Sequence, residues 1–294
     1  MIMTGSLRHL TPGGYSHPRA CVLPLFQSMS ILSGTTRNSR FIESAGRVID
    51  QLKLNSNSLA VRDGRAFWVK RRRIWGRELA RCANVFFRVA QNPVVVLADP
   101  DEWRRWEIGS FLLLHGSEGY RAFSEESETV WLEQLPGVSL EDSAMEGRLV
   151  DGMLEAAGRE LKRAHDLECG GTKWSHGDPH LGNFMYDAKT GHARLIDFEV
   201  IHRPELPIVE RHADDLLVFL QDLMGRVTSE RWVPAATRFL RNYNEIGSDE
   251  VLSVLKRRFA PPKNAERVWW SIRTSYLGKA ERTERIHALH DSLK

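Results

Sequence analysis

The spacing of apolar residues predicts β-structure in the first part of the chain. Residues 59–70 alternate around Asp63-Gly64, the strongest short-range signal for a hairpin, and Lys70 closes the second strand. Residues 128–135 have the composition of a further strand, which Pro136-Gly137 would end. The chain before residue 135 is therefore predicted to be rich in strands.

Helical spacing prevails in two later segments. Between residues 148 and 168, apolar residues recur on one helix face, and Gly170-Gly171 predict the end of that helix. A second amphipathic helix is predicted from Asp214-Asp215, whose carboxylates would cap it and complement its dipole. The apolar positions of the first helix are Val150, Met153, Leu154, Ala157, Leu161 and Ala164.

Residues 175–200, SHGDPHLGNFMYDAKTGHARLIDFEV, place three polar side chains at informative distances. Asp178 and Asn183 stand in the order Asp-x-x-x-x-Asn, the pattern of a kinase catalytic loop, and Asp197 follows fourteen residues after Asn183. His176, two residues before Asp178, is predicted to be a structural hydrogen-bonding residue of this loop, because Gly177 and a following proline rule out a helix with paired histidine ligands.

A hairpin is predicted to bring these side chains together. Residues 184–186 and 193–196 are apolar or strand-forming, and the intervening residues 187–191 favour a tight reversal. In an antiparallel pair, the residue that enters the first strand lies opposite the residue that leaves the second. Asn183 and Asp197 should therefore converge, and two such oxygen ligands, completed by phosphates and water, suit Mg²⁺.

This block resembles the catalytic core of bacterial lipopolysaccharide kinases of the Kdo-kinase type and, more distantly, aminoglycoside phosphotransferases, which share the His-Gly-Asp loop. The resemblance implies an α+β, two-lobed protein-kinase-like fold. It implies a small β-rich N-lobe over 41–134 and a larger, mostly helical C-lobe over 135–294. The composition of residues 1–40, with Thr11-Pro-Gly-Gly and Ser33-Gly-Thr-Thr, predicts a loosely ordered extension before them. The resemblance further implies ATP as donor, Asp178 as catalytic base, and Asn183 and Asp197 as ligands of Mg²⁺.

A kinase also needs a lysine for the nucleotide phosphates and a helix glutamate that holds this lysine. Lys70 is the candidate, and Glu78, the only acidic residue between positions 64 and 98, is its predicted partner. An alternative stays open: Lys70 belongs to a solvated basic run with residues 71–73, and Glu78 pairs on the helix surface with Arg81 or Arg77.

Two further parts of a nucleotide site are predicted less directly. The backbone from Glu133 to Leu135 lies where a hinge would meet the adenine edge. No G-x-G-x-x-G motif precedes Lys70, so the loop over residues 54–59, with Asn-Ser-Asn-Ser in it, is predicted to offer N–H groups and hydroxyls to phosphate. The missing motif also leaves a degenerate kinase open.

The segment from Glu199 to Asp214 contains no Ser, Thr or Tyr, so it is not a phosphorylated activation loop. Gly177 occupies the place of the arginine that would bind such a phosphate, and Glu199 that of the glycine in Asp-Phe-Gly. These features favour a constitutive small-molecule or glycan kinase over a regulated protein kinase.

Charge suggests a partner for the chain. The net charge is +3, but eight Lys or Arg face one Glu between positions 65 and 88, and a second basic group, residues 256–258, precedes Trp269-Trp270. Both groups predict contact with an anionic glycolipid or the inner membrane surface. A solvated basic face with aromatic residues in the core is the alternative. Nucleic acid is disfavoured, because no nucleic-acid module accompanies the charge.

Length and cysteines agree with this interpretation. A chain of 294 residues with 42% hydrophobic residues suffices for one two-lobed domain. Cys21, Cys82 and Cys169 are odd in number and scattered, which fits neither a disulfide framework nor a zinc site and predicts a reducing compartment. The start has no long apolar run, so a cytoplasmic location, with peripheral contact at the inner membrane, is predicted.

The sequence thus predicts an ATP- and Mg²⁺-dependent phosphotransferase that acts on a sugar hydroxyl, in a lipopolysaccharide core by the resemblance. Two alternatives remain. One is an aminoglycoside-type small-molecule kinase with an acidic acceptor pocket formed by Glu199, Glu205, Glu210, Asp214 and Asp215. The other is a protein kinase or a non-catalytic ATP-binding scaffold.

Overall fold

A computed structural model describes residues 54–244, 249–259, 270, 274 and 277–292. The predicted extension over residues 1–40 and Trp269 lie outside the described residues. The strands are β1 (Asn55–Arg62), β2 (Arg65–Arg72), β3 (Val94–Val96), β4 (Ala122–Phe123), β5 (Thr129–Glu133), β6 (Val138–Ser139), β7 (Glu168–Cys169), β8 (Thr172–Lys173), β9 (Phe184–Asp187), β10 (His192–Leu195) and β11 (Val200–His202). The helices are α1 (Gly76–Val89), α2 (Pro100–His115), α3 (Leu140–Met145), α4 (Asp151–Asp166), α5 (Ile208–Arg226), α6 (Ser229–Asn244), α7 (Asp249–Arg258) and α8 (Lys279–Ser292).

The first part of the chain forms an antiparallel sheet in the order β1-β2-β5-β4. Asp63 and Gly64 both adopt positive φ, 51° and 74°, as a two-residue type I′ turn requires, so the predicted hairpin is confirmed. The predicted phosphate loop over residues 54–59 is wrong, because Asn55 already pairs with Arg72 at the start of β1. Most of β1 is exposed. Its polar composition therefore reflects a solvated strand and not a loop.

Helix α1, strand β3 and strand β11 form a second, smaller core cluster that joins segments distant in sequence. Helix α1 packs Ala80 and Phe87 against Val94 and Val96 of β3 and Val200 of β11. Strand β11 pairs antiparallel with β3, although more than a hundred residues separate them in the chain. The segment that follows Asp197 is therefore attached to the first part of the chain.

Helices dominate after residue 140. The predicted helix over 148–168 is observed as α4, and it is followed by a short hairpin of β7 and β8 whose turn glycines, Gly170 and Gly171, have positive φ. Helix α5 begins at Ile208, so the prediction that Asp214 and Asp215 cap it is wrong. Both aspartates lie inside the helix and are buried, at 2% and 0% exposure.

The hairpin predicted around residues 187–191 is confirmed as β9 and β10. Leu195 lies opposite Phe184, and the N–H of Ile196 donates to the carbonyl of Asn183 at 2.9 Å. Strand β6 adds a third strand through the pair Val138 and Tyr186. The hairpin thus delivers Asn183 and Asp197 to one end of a small sheet.

The fold is α+β, with a β-rich N-terminal part and a mostly helical C-terminal part, as predicted. The two-lobed protein-kinase-like arrangement stays a prediction. The lobe boundary at residues 134/135 stays a prediction. Among the described residues, no helix is long and apolar enough to span a membrane.

Candidate active site

Two aspartates of α5 hold the loop that carries Asp178. Asp215 accepts hydrogen bonds from the N–H groups of His176 and Gly177, both at 2.8 Å, and Asp222 accepts one from the N–H of Leu181 at 3.0 Å. A buried carboxylate that accepts backbone N–H groups forms charge-assisted bonds, which are stronger than neutral ones. The loop is therefore fixed from beneath by a rigid helix.

His176 orients the same loop from inside, as predicted. Its Nε2 bonds to the carbonyl of Ile196 at 3.0 Å, and its Nδ1 accepts the N–H of Asp178 at 3.3 Å. These partners require a neutral imidazole with the proton on Nε2. Burial lowers the pKa of His176, which favours this neutral form. His176 therefore connects Asp178 to the residue that precedes Asp197.

The backbone explains why glycine stands at position 177. Gly177 has φ of +89°, and a Cβ there would approach the carbonyl oxygen of Val200 to 3.2 Å. A side chain such as arginine would therefore be strained at this position as well as crowded. The loop passes close to β11 because of this glycine.

Asn183 and Asp197 meet at the end of the hairpin, as predicted. The amide Nδ2 of Asn183 donates to the carbonyl of Asp178 at 2.9 Å, which turns Oδ1 the other way. That Oδ1 is buried and has no hydrogen-bond partner among the described residues. Asp197 adopts a positive φ of 67°, unusual for a residue other than glycine. A buried, unsatisfied amide oxygen beside a carboxylate fits the oxygen ligands of Mg²⁺.

The lysine is held by a glutamate other than the predicted one. Lys70 Nζ lies 2.6 Å from Glu107 Oε1 and 2.7 Å from Asp197 Oδ1. Glu107 is fully buried on α2, whereas Glu78 is exposed on α1 and pairs with Arg81 at 2.9 Å. The predicted pair of Lys70 and Glu78 is therefore wrong, and the surface pair that was its alternative is observed.

The geometry of α1 explains why Glu78 does not reach Lys70. Helix α1 presents Ala80 and Phe87 to the core, and Glu78 lies on the outward side of the same helix. Helix α2 brings Glu107 to Lys70 instead, across 37 residues of chain. A buried ammonium needs a buried counter-charge, and Glu107 supplies it.

Lys70 is surrounded by more negative than positive charge. Burial alone would lower the pKa of Lys70, but the carboxylates of Asp197, Glu107 and Glu199 outweigh burial and raise it, so the ammonium stays charged. Burial, followed by repulsion from Asp197, raises the pKa of Glu199 to about 7. The cluster therefore has a surplus of carboxylate that an incoming cation would relieve.

A further chain of contacts reaches from this cluster to β1. The Nδ2 of Asn55 donates to Glu199, and the Oδ1 of Asn55 accepts from Arg72 at 3.2 Å. Arg72 also bonds to the carbonyl of Leu97 and lies over the Trp103 ring at 5.1 Å. Glu199 thus links the residues after Asp197 to the first strand.

The predicted hinge lies at the end of β5. The N–H of Glu133 donates to the carbonyl of Arg121 at 2.9 Å, and the N–H of Gln134 donates to that of Ala66 at 2.8 Å. Among the described residues, no backbone partner is found for the N–H of Leu135. The contact of Glu133 and Leu135 with adenine stays a prediction, and Leu135 is the residue with a backbone donor to offer.

Most of the acidic residues proposed for an acceptor pocket are engaged elsewhere. Arg258 lies 2.7 Å from Glu210 and 2.9 Å from Asp214, and Asp215 holds the loop that carries Asp178. Glu199 contacts Asn55. In the basic group of residues 256–258, the charge of Arg258 is neutralised by its ion pairs with Glu210 and Asp214. Trp270, which was expected near that group, is buried against Phe259.

Sequence reasoning missed Glu107, Asn55 and the anchoring role of Asp215 and Asp222. The last two do leave a signal in the sequence. They are seven residues apart in a stretch of helix that is apolar apart from Gln221, which puts two carboxylates on one buried face. No local signal marks Glu107, because its helix carries other acidic residues and only the tertiary fold selects one.

No protein-family model matches the chain, and no curated protein matches it. Among solved structures, a Plasmodium vivax ethanolamine kinase is similar over 90% of this chain and 96% of its own, with 8% identity and a TM-score of 0.43. A Mycobacterium tuberculosis protein in complex with erythromycin is similar over 82% of this chain and 70% of its own, with 15% identity and a TM-score of 0.36. Similarities of this size do not bear on what this chain binds.

Proposed function

We propose that this chain is an ATP- and Mg²⁺-dependent phosphotransferase that phosphorylates a sugar hydroxyl, with the lipopolysaccharide core as acceptor. One observation carries the proposal: a single hairpin sets Asn183 and Asp197 at the same end, Asn183 donates to the carbonyl of Asp178, and Lys70 reaches Asp197 from the other part of the chain at 2.7 Å. Phosphoryl transfer depends mainly on position and charge, and this arrangement supplies both.

Each residue has a role that follows from its surroundings. Asp178, on a loop fixed by α5, would orient the acceptor hydroxyl and take its proton. Asn183 and Asp197 would hold Mg²⁺, which neutralises charge on the transferred phosphoryl group. Lys70, positioned by Glu107, would bind the nucleotide phosphates. The backbone at Glu133 and Leu135 would meet the adenine.

The acceptor class is supported by charge and by the resemblance of residues 175–200 to lipopolysaccharide kinases. A cationic acceptor such as an aminoglycoside would need an acidic pocket, yet Glu210 and Asp214 are bound by Arg258 and Asp215 holds the loop. A neutral or anionic sugar needs no such pocket.

The test is transfer of label from γ-labelled ATP with Mg²⁺, using the purified chain added to a heat-treated lysate that is then separated into glycolipid, small-molecule and protein fractions. Asp178→Asn is the control, because the amide keeps the shape of the carboxylate but is a poor base. Label in the glycolipid fraction that drops by at least about 10³-fold in the control supports the proposal. Label in another fraction would reassign the acceptor.

Metal removal and Asp197→Asn separate catalysis from nucleotide binding. Chelation should abolish transfer, and Mg²⁺ should restore it in the parent chain but not in Asp197→Asn. Calorimetry with ATP should show Mg²⁺-dependent binding that is weakened in Asp197→Asn. Full transfer by Asp178→Asn or Asp197→Asn would refute the mechanism, whereas ATP binding without transfer to any fraction would favour a binding scaffold.

A further inference from the structure

Two large apolar residues stand exposed at the start of α1. Ile74 is 89% exposed and Trp75 is 72% exposed, in the turn that follows β2. The turn is held in place, because the carbonyl of Trp75 accepts the N–H of Leu79 at 3.0 Å and Gly76 donates to Arg73 at 2.7 Å. Large apolar side chains that stand exposed together on an ordered backbone mark a candidate interaction surface.

The same surface continues along α1. Val85 and Val89 are 67% and 75% exposed, while Ala80 and Phe87 on the other face are buried. Positions 77, 81, 85 and 88 or 89 recur at helical spacing, so they lie along one outward stripe. Helix α1 therefore buries one apolar face in the core and exposes a second apolar group, Val85 and Val89, to solvent.

Arginines border this apolar stripe. We define the arginine–tryptophan face as eight exposed residues, and only Glu78 adds an acidic side chain to the outward side of the helix. Glu78 is bound by Arg81, and Arg77 lies 3.2 Å from Asp99 in a likewise exposed pair. No ion pair is found for Arg73 or Arg88 among the described residues. The residues of the face are Arg73, Ile74, Trp75, Arg77, Arg81, Val85, Arg88 and Val89.

We propose that the arginine–tryptophan face binds the surface of an anionic phospholipid bilayer. Interfacial helices combine a basic edge with aromatic and aliphatic side chains that enter the headgroup region, and α1 with its preceding turn has this combination. Tryptophan is favoured at that depth because its ring is amphipathic. Arginines beside it match the negative charge of the lipid. This inference goes beyond the proposed function and does not depend on catalysis.

The test is flotation of the full chain with vesicles of phosphatidylcholine alone and with 30% phosphatidylglycerol. Binding should require the anionic lipid and should weaken as salt is raised, because the exposed arginines are screened. The variant Arg73→Glu/Ile74→Ser/Trp75→Ser should bind at least tenfold more weakly. The control Met145→Ser/Arg148→Glu/Val150→Ser changes two exposed apolar residues and one exposed arginine elsewhere, and should bind within twofold of the parent chain.

A second readout locates the tryptophan. Brominated lipids should quench part of the fluorescence of the bound chain, and Trp75→Phe should lose that part while still binding. Equal binding to neutral vesicles, no binding at all, or equal loss in the control variant would overturn the proposal. So would a dimer in solution that only the Ile74 and Trp75 variant dissociates, because a second copy would then be the partner of the face.

Discussion

The segment of residues 175–200 and the region around Lys70 supply the two halves of the candidate site by different means. In the first, Asn183 bonds to Asp178 five residues away, and the hairpin sets its distance from Asp197. In the second, Lys70 meets partners 37 and 127 residues away. Local geometry builds one half of the site, and long-range packing builds the other.

The two regions also differ in the forces that hold them. The loop at Asp178 is held by backbone hydrogen bonds to Asp215, whereas Lys70 is held by three carboxylates in a buried cluster. Backbone bonds fix the position of a chain, but ion pairs depend on the balance of charge. The second region should therefore respond more strongly to the loss of a single charge.

The largest effect is expected for Glu107→Gln. Glu107 is the fully buried partner of Lys70. Its loss leaves the ammonium only the partly exposed carboxylates of Asp197 and Glu199, so the free energy of unfolding should fall by about 3 kcal/mol. Phosphoryl transfer should fall with it, because Lys70 loses its fixed position. Chemical denaturation and the labelled-ATP assay measure the two effects.

Glu78→Gln is the matched control for that experiment. Its pair with Arg81 is exposed on both sides, so its loss should change the free energy of unfolding by less than about 0.5 kcal/mol. Equal effects of the two variants would mean that Glu107 is not the residue that positions Lys70.

These contacts explain how far prediction from sequence reached. The hairpins around Asp63 and around residues 187–191 depend on turn residues and alternation, which are local, and both were predicted correctly. Glu78 was chosen because it was near in sequence, and burial selected Glu107 instead. Asp215 was taken for a helix cap because the start of α5, at Ile208, has no strong cap signal. Burial and long-range contact are properties of the whole fold, so no local pattern reveals them.

His115 joins the two regions and should make stability depend on pH. It lies at the end of α2, is fully buried, and bonds through Nε2 to the carbonyl of Leu195 at 2.8 Å. Its Nδ1 has no hydrogen-bond partner among the described residues, and burial lowers its pKa to about 4. Between pH 6.5 and about pH 4, the imidazole of His115 is protonated in the unfolded chain but stays neutral in the folded chain. The contribution of His115 to the free energy of unfolding is therefore lost as pH falls through this range.

The loss assigned to His115 should be roughly 3 kcal/mol at pH 4. Denaturation curves of the parent chain and His115→Gln, recorded between pH 7 and pH 4, measure it. Gln keeps an N–H donor for Leu195 and does not titrate, so its curve should be flatter by that amount. Parallel curves would show that His115 is not the group responsible.

Asp215→Asn tests the backbone anchor of the loop that carries Asp178. An amide offers one acceptor oxygen where the carboxylate serves three donors, which are the N–H groups of His176 and Gly177 and the Nε2 of His165. The free energy of unfolding should fall by about 2–3 kcal/mol, with a clear loss of transfer. Asp166→Asn is the control, because the carboxylate of Asp166 is exposed where it pairs with Lys162. Retained activity in Asp215→Asn would show that the loop holds its shape without this anchor.

The smallest difference between a variant and its control is expected where the connection between the two regions packs on the hairpin. Gly137, just after the predicted hinge, has φ of +113°, and a Cβ there would come within 2.2 Å of the carbonyl oxygen of Tyr186 on β9. Gly137→Ala should therefore cost both backbone strain and a shift of β9. Gly191→Ala has a positive φ of +70° but open space around it, so it should cost the strain alone, about 1 kcal/mol. Thermal denaturation should show a difference of about 1–2 kcal/mol between the variants. If the two variants are equally stable, the backbone at Gly137 can move away from Tyr186. The predicted hinge would then not be held rigidly against the hairpin.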